Sequence, residues 1–169
     1  KTSFIPQWQR LLPFVTRQAA SPDASLRQWV VCVWDDLIEF CGSDSWAFKD
    51  MFLQPLANGL SDSEAEVRQA AAYGIGCAAQ YGGEVFSDLV AQSLGTLFAL
   101  IETPDARSDD NIYATENACC SIAKILRFNS SKIAQPDQII QRWLSTLPVT
   151  HDEEDAPYAY RFLAELMDK

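Results

Sequence analysis

The chain is 169 residues long and 48% hydrophobic, with a formal net charge of −10. That length supports one core, while an acidic surface repels phosphate groups. Nucleic acid and anionic membrane are therefore excluded as principal partners, and basic protein segments remain compatible ones. No signal-peptide pattern opens the chain, and no apolar run approaches the roughly 18 residues of a membrane span. Its start at Lys1, without an initiator Met, predicts a piece of a longer protein.

In chain order, the first predicted helix covers residues 6–19, with Trp8, Leu11, Leu12 and Val15 at helical spacing. Ser21-Pro22-Asp23 supplies an N-cap, a proline at the first helical position and an acid in the first turn. The second helix then runs from about 24 to Cys41 and stops at Gly42, where a left-handed residue ends a helix readily. A second pair is expected over 46–58 and 63–80, the latter opened by a capping box, Ser63-Glu64-Ala65-Glu66, and closed by Gly82-Gly83. A third pair covers 85–102 and 111–128, and a fourth covers 136–147 and 153–167 with the acidic loop His151–Asp155 between. Pro13 and Pro55 lie inside the first helices of their pairs and predict kinks. No segment alternates as a strand does.

The second helices begin near 24, 63, 111 and 153, spacings of about 39, 48 and 42 residues. Two helices per unit at that period predict an all-α, right-handed solenoid of about four HEAT repeats. The repeats are expected at about 6–41, 46–80, 85–128 and 136–167, in one domain spanning 1–169. In the 63–80 helix the stripe Val67, Ala70, Ala71, Gly74, Ile75 and Ala78 is expected to pack tightly. The opposite stripe carries Glu66, Gln69, Tyr73 and Gln80. By the same phase the 24–41 helix exposes Gln28, Asp35, Asp36 and Glu39. The 111–128 helix exposes Tyr113, Glu116, Asn117 and Lys124. Stacked repeats would align these stripes into one acidic inner wall.

Catalytic chemistry finds little support. The single histidine, His151, has no nucleophile motif to serve, so no catalytic residue and no enzymatic activity are expected. The His151–Asp155 run lacks the glycine and ligand spacing of an EF-hand, so no metal or cofactor is expected there. Tyr73-Gly74-Ile75-Gly76 lies mid-helix and reads as close helix packing, not as a dinucleotide loop. Cys32, Cys41, Cys77, Cys119 and Cys120 form no CxxC and predict buried free thiols in a reducing compartment. Arg27 and Arg68 hold equivalent places in successive repeats and predict a ladder of bonds to the adjacent repeat. Phe4, Ile5 and Trp8 are expected to present an exposed apolar patch that seeks partners.

Several motifs in order resemble the late repeats of the importin-β3 (importin-5) type of β-karyopherin. They are Pro22-Asp23 with Arg27-Gln28-Trp29 and Phe40-Cys41; Glu66 through Gly74; and Gln80-Tyr81-Gly82-Gly83. Further along come Asn111 with Ala114-Thr115-Glu116-Asn117, Lys124-Ile125, and Trp143-Leu144 followed by Leu147-Pro148. The resemblance implies the C-terminal part of a nuclear transport receptor found in cytoplasm, nucleus and nuclear pore. Such a receptor carries cargo proteins with basic nuclear-localisation segments and releases them to Ran-GTP. It implies that Ran-GTP and FG nucleoporins are met mainly outside this segment, and that Glu116 and Asn117 face cargo or Ran, helix capping or inter-repeat bonding being the other reading of the two. A HEAT scaffold or adaptor of another protein assembly is the alternative function.

Overall fold

Apolar residues three and four apart define the first helix, α1 (Ile5–Gln18), which buries Trp8, Leu12 and Val15 on one stripe. Pro6 opens it and Pro13 lies within it. Asp23, not Ser21, is the N-cap of α2 (Ala24–Cys41): its carboxylate accepts from Ser25 N at 2.9 Å. Gly42 ends α2 at φ 55°, a conformation glycine adopts without strain. The chain continues as a 3-10 turn over 42–48, then α3 (Lys49–Gly59), α4 (Ala65–Tyr81) and α5 (Glu84–Ile101). The remaining helices are α6 (Ile112–Phe128), α7 (Pro136–Leu144) and α8 (Ala156–Met167). This computed structural model describes residues 4–168 and contains no strand among them.

The expected capping box does not form. Asp62 Oδ1 accepts from Glu64 N at 3.0 Å in its place, and Glu64 itself caps nothing with its side chain. α5 is the one helix among the described residues with the length and apolarity of a membrane span, contrary to expectation. Half of it is buried in the protein, as suits the core helix of a stack.

The architecture is an α-solenoid of about four helix pairs, with α4 between α2 and α6, and α8 following α6. Small residues permit the close stacking. A Cβ on Gly74 would meet Leu56 Cδ1 at 2.7 Å and collide with Asp35 Oδ1, and one on Gly76 would lie 2.6 Å from Ser121 Oγ. Two bonds pin α6 to carbonyls of α4: Ser121 Oγ donates to Ala72 O at 2.5 Å and Asn129 Nδ2 to Ala79 O at 2.8 Å. Trp34, Phe52 and Phe86 form an aromatic line through the first three pairs, with ring centroids 6.4 and 6.0 Å apart. Each ring so buried contributes roughly 1.5–3 kcal/mol.

The arginine ladder is present. Arg27 makes a bidentate pair with Asp62 at 2.8 and 2.7 Å and also donates to Ser21 O. One repeat on, Arg68 donates to Asp62 O, Ser63 O and Asn111 Oδ1. Arg107 extends the series to the carbonyls of Thr146 and Pro148. Each guanidinium thus closes a loop onto the next repeat, using the planar fork that lysine lacks.

Candidate functional site

One groove of about 600 Å³ lies on the face formed by α2, α4 and α6 and is closed at one end by the 151–155 loop. Gln28, Asp35, Gln69, Tyr73, Tyr113 and Asn117 all line it, so six of the ten expected wall residues come together. The loop adds His151, Asp152, Glu153, Glu154 and Asp155. The remaining four lie elsewhere or are occupied. Glu66 is exposed but outside the groove. Asp36 is exposed on another side of α2, beside Phe14, Trp29 and Phe40. Glu39 is half-buried and accepts from Tyr73 Oη at 2.9 Å.

Glu116 is completely buried, so its expected place on an exposed wall is corrected. Its carboxylate accepts the backbone N–H groups of Thr150, His151 and Asp152 at 2.9, 2.7 and 2.8 Å, and His151 Nδ1 lies 3.2 Å away. Burial pushes this carboxyl up, but the three N–H bonds and His151 outweigh burial and hold it below its ordinary value. Glu116 is the clamp that folds the acidic loop back onto α6. Asn117 is also buried and donates to Asp152, whose Oδ1 accepts from Glu154 N and Asp155 N at the start of α8.

Lys124 is likewise corrected from exposed to buried. Its Nζ sits 2.6 Å from Asp155 Oδ1, with both side chains at most 4% exposed. The ammonium also lies over the rings of Tyr73 and Tyr158, 5.1 and 4.5 Å from their centroids. Burial pushes the Asp155 carboxyl up, and Lys124 pulls it back only in part.

Asp35 is the third correction. It is only 4% exposed because α4 approaches α2 at Gly74, and its Oδ1 has no hydrogen-bond partner. Burial, then the like charges of Asp36 and Glu39, push it well above the usual carboxylate range. Asp35, Asp36 and Glu39 are therefore not one exposed acidic stripe.

Glu153 and Glu154, in the acidic loop and not among the expected wall residues, are the exposed acids of the groove. Neither has an ion-pair partner among the described residues. The signal that could have found them is the acid at Glu116. A carboxylate on a buried stripe needs donors, and the polar loop one repeat later supplies them. Cys32 also lines the groove and is exposed, and Cys41 is half-buried, so only Cys77, Cys119 and Cys120 are buried thiols.

On another side of α2, against α1, Phe4, Leu11, Phe14, Trp29 and Phe40 surround an apolar groove of about 610 Å³. Trp8, expected to be exposed, is 1% exposed because its ring packs on Phe48 at 6.3 Å.

The HEAT repeat family matches residues 52–81, the α3–α4 pair. Importin subunit beta-3 of Saccharomyces cerevisiae is 30% identical over 165 residues, 98% of this chain and 15% of that protein. A probable importin-5 homolog of Dictyostelium discoideum is 26% identical over 91% of this chain and 15% of its own length. The crystal structure of Kap121p bound to RanGTP superposes with a TM-score of 0.88 at 29% identity, over 99% of this chain and 16% of that one. The chain thus spans about 15% of the length of the curated relatives it matches.

Proposed function

The chain belongs to the importin-β-type karyopherins, and we propose that it serves as a HEAT-repeat segment of a nuclear transport receptor that holds basic segments of cargo proteins. The observation that carries this reading is the groove on α2, α4 and α6. Exposed Glu153 and Glu154 stand at its mouth, with Tyr73, Tyr113 and two glutamines along its walls. The side chains offer acceptors and ring faces, the chemistry that suits lysine and arginine. Net charge −10 adds long-range attraction for a basic partner. Ran-GTP and FG nucleoporins are met mainly through other parts of the receptor. The working places are the cytoplasm, the nucleus and the nuclear pore. Kap121p, the neighbour solved with RanGTP, supports a Ran-controlled cycle.

The test is charge reversal at the mouth of the groove, Glu153→Lys with Glu154→Lys, in the full-length receptor. Exposed pairs contribute about 0.2–1 kcal/mol each, so a basic cargo should bind several-fold more weakly without losing binding altogether. Cargo affinity should fall further on adding Ran-GTP. Unchanged affinity at low salt, with the helical circular dichroism signal intact, contradicts a cargo role for this groove.

A further inference from the structure

The apolar groove between α1 and α2 faces away from the rest of the stack. α2 meets α3 and α4 through Val31, Trp34 and Asp35: a Cβ on Gly59 would lie 4.0 Å from Val31 Cγ2, Trp34 packs on Phe52, and Asp35 lies against Gly74. At about 100° per residue, Trp29, Val33, Asp36 and Phe40 fall on the opposite side of the helix. They join α1 in an outer face on which Leu11, Phe14, Trp29 and Phe40 are each between 43% and 58% exposed. Asp36 is the one charged residue lining it. A terminal repeat of a solenoid carries a polar outer face, and this one does not. Contiguous apolar surface of this kind marks a contact with another element.

The arginine ladder sets the register between repeats. Ser21 O and Pro22 O accept from Arg27 as Asp62 O and Ser63 O accept from Arg68. Ser21 Oγ accepts from Asp23 N as Asp62 Oδ1 accepts from Glu64 N. In that register Trp29, Val33, Asp36 and Phe40 stand where Ala70, Gly74, Cys77 and Tyr81 stand on α4. That α4 stripe is the one turned back onto α2: Gly74 abuts Asp35, and Cys77 Sγ lies 3.9 Å from Glu39 Oε2. α2 thus presents outward the face by which α4 receives its own preceding helix.

We propose that the α1–α2 face is covered by a helix pair of the same receptor that precedes it in the chain, stacked on α1–α2 as α1–α2 stacks on α3–α4. The inference rests on the reading of this chain as a segment of a longer receptor, and not on what the α2–α4–α6 groove holds. The chain spans about 15% of the length of its curated relatives, so such a receptor has sequence outside it to supply the pair. Two features specify the occupant. The first is the ladder. Arg27 reaches the loop of the next repeat at Asp62, and Arg68 reaches Asn111, so an arginine of the preceding pair should reach the 21–23 loop, where Ser21 stands in the place of Asp62. The second is size. α4 turns small residues toward α2, whereas α2 turns indole and phenyl rings outward, so the preceding pair approaches α2 less closely than α4 does. A second copy of the chain fits worse. An isologous pair of these faces would bury two Asp36 carboxylates with no cation lining either groove.

The experiment compares hydroxyl-radical footprinting, read by mass spectrometry, of this 169-residue chain and of the full-length receptor. The short chain is held dilute enough to sediment as a monomer. Phe14, Trp29 and Phe40 should oxidise readily in the short chain and several-fold more slowly in the receptor, while Tyr113, 47% exposed on the other groove, oxidises alike in both. Phe40→Lys supplies a second readout. It should leave the melting temperature of the short chain unchanged, because the ring it removes is exposed there. In the receptor it should speed amide exchange of α1 and α2 several-fold, because the new ammonium is forced into an apolar contact. Equal oxidation of the three rings in both forms overturns the proposal. Protection in the receptor that is lost on dilution, together with a dimer, overturns it too and assigns the face to a second copy. A receptor whose amide exchange ignores Phe40→Lys overturns it as well. None of these results bears on cargo binding, which the charge reversal at Glu153 and Glu154 tests separately.

Discussion

Lys124→Met should destabilise the protein by about 3–5 kcal/mol at neutral pH, the loss expected when one partner of a buried pair is removed. Lys124 Nζ and Asp155 Oδ1 are 2.6 Å apart with side chains 4% and 3% exposed. At that separation and an effective dielectric near 20, their attraction is about 6 kcal/mol. Most of it offsets the desolvation of the two groups, so the pair adds little net stability. The variant loses the attraction and keeps the desolvated carboxylate. Asp155 Oδ2 already lacks a donor, so no rearranged bond compensates. Urea unfolding followed by circular dichroism gives the change, with the slope checked to remain constant. Two further results must accompany it. The deficit should shrink as pH falls, because a protonated Asp155 no longer carries the charge. The double variant Lys124→Met, Asp155→Leu should recover most of the loss. A single variant costing under about 1 kcal/mol, or a double variant no better than the single, refutes the reasoning.

Asp35→Asn should stabilise the chain at pH 8 by on the order of 1–3 kcal/mol, since it removes a buried charge without a partner. Because the folded carboxyl titrates above its unfolded value of about 3.9, this gain is full at high pH and declines as pH falls, which denaturation at pH 8 and pH 5 should reveal. Glu116→Gln should act with the opposite sign, costing roughly 1–3 kcal/mol at neutral pH. The folded carboxyl titrates below its unfolded value of about 4.3, so that cost should fade as the solution is acidified through this range; amide exchange should also show the 150–155 loop opening. Gly74→Ala should lower stability by about 1–3 kcal/mol, because the new methyl meets Leu56 and Asp35, whereas Gly95→Ala, with nothing within 4 Å, should raise it by about 0.5–1 kcal/mol. Thermal melts that ranked these two alike would contradict the packing described between α2, α3 and α4.

The helices and their pairing were legible because caps, glycines and apolar stripes all act locally. The arginine ladder was legible for the same reason, as Arg27 and Arg68 each follow a loop by the same few residues. Gln28, Gln69, Tyr73 and Tyr113 could be assigned to one face from helical phase alone. The burial of Asp35, Asn117, Glu116 and Lys124 is not legible in this way, because helical phase does not report what packs against a polar side chain. Glu116 and Lys124 find their partners in the 150–155 loop, 31 to 36 residues away, and no local pattern announces that loop folding back. Asp35 differs again: its burial comes from the bare Cα of Gly74, a feature of packing between helices. Asp36 was misassigned because a neighbour in sequence turns about 100° around the helix, here onto the apolar side by Trp29.

The most direct test of the central claim is a backbone amide chemical-shift titration of this chain with a lysine- and arginine-rich peptide. Shifts should concentrate at Gln28, Gln69, Tyr73, Tyr113, Glu153 and Glu154, and should weaken as salt screens the exposed acids beyond about 8 Å at physiological ionic strength. No shifts at low salt, or shifts confined to the apolar α1–α2 face around Phe14 and Trp29, would contradict the claim that the α2–α4–α6 groove receives basic segments.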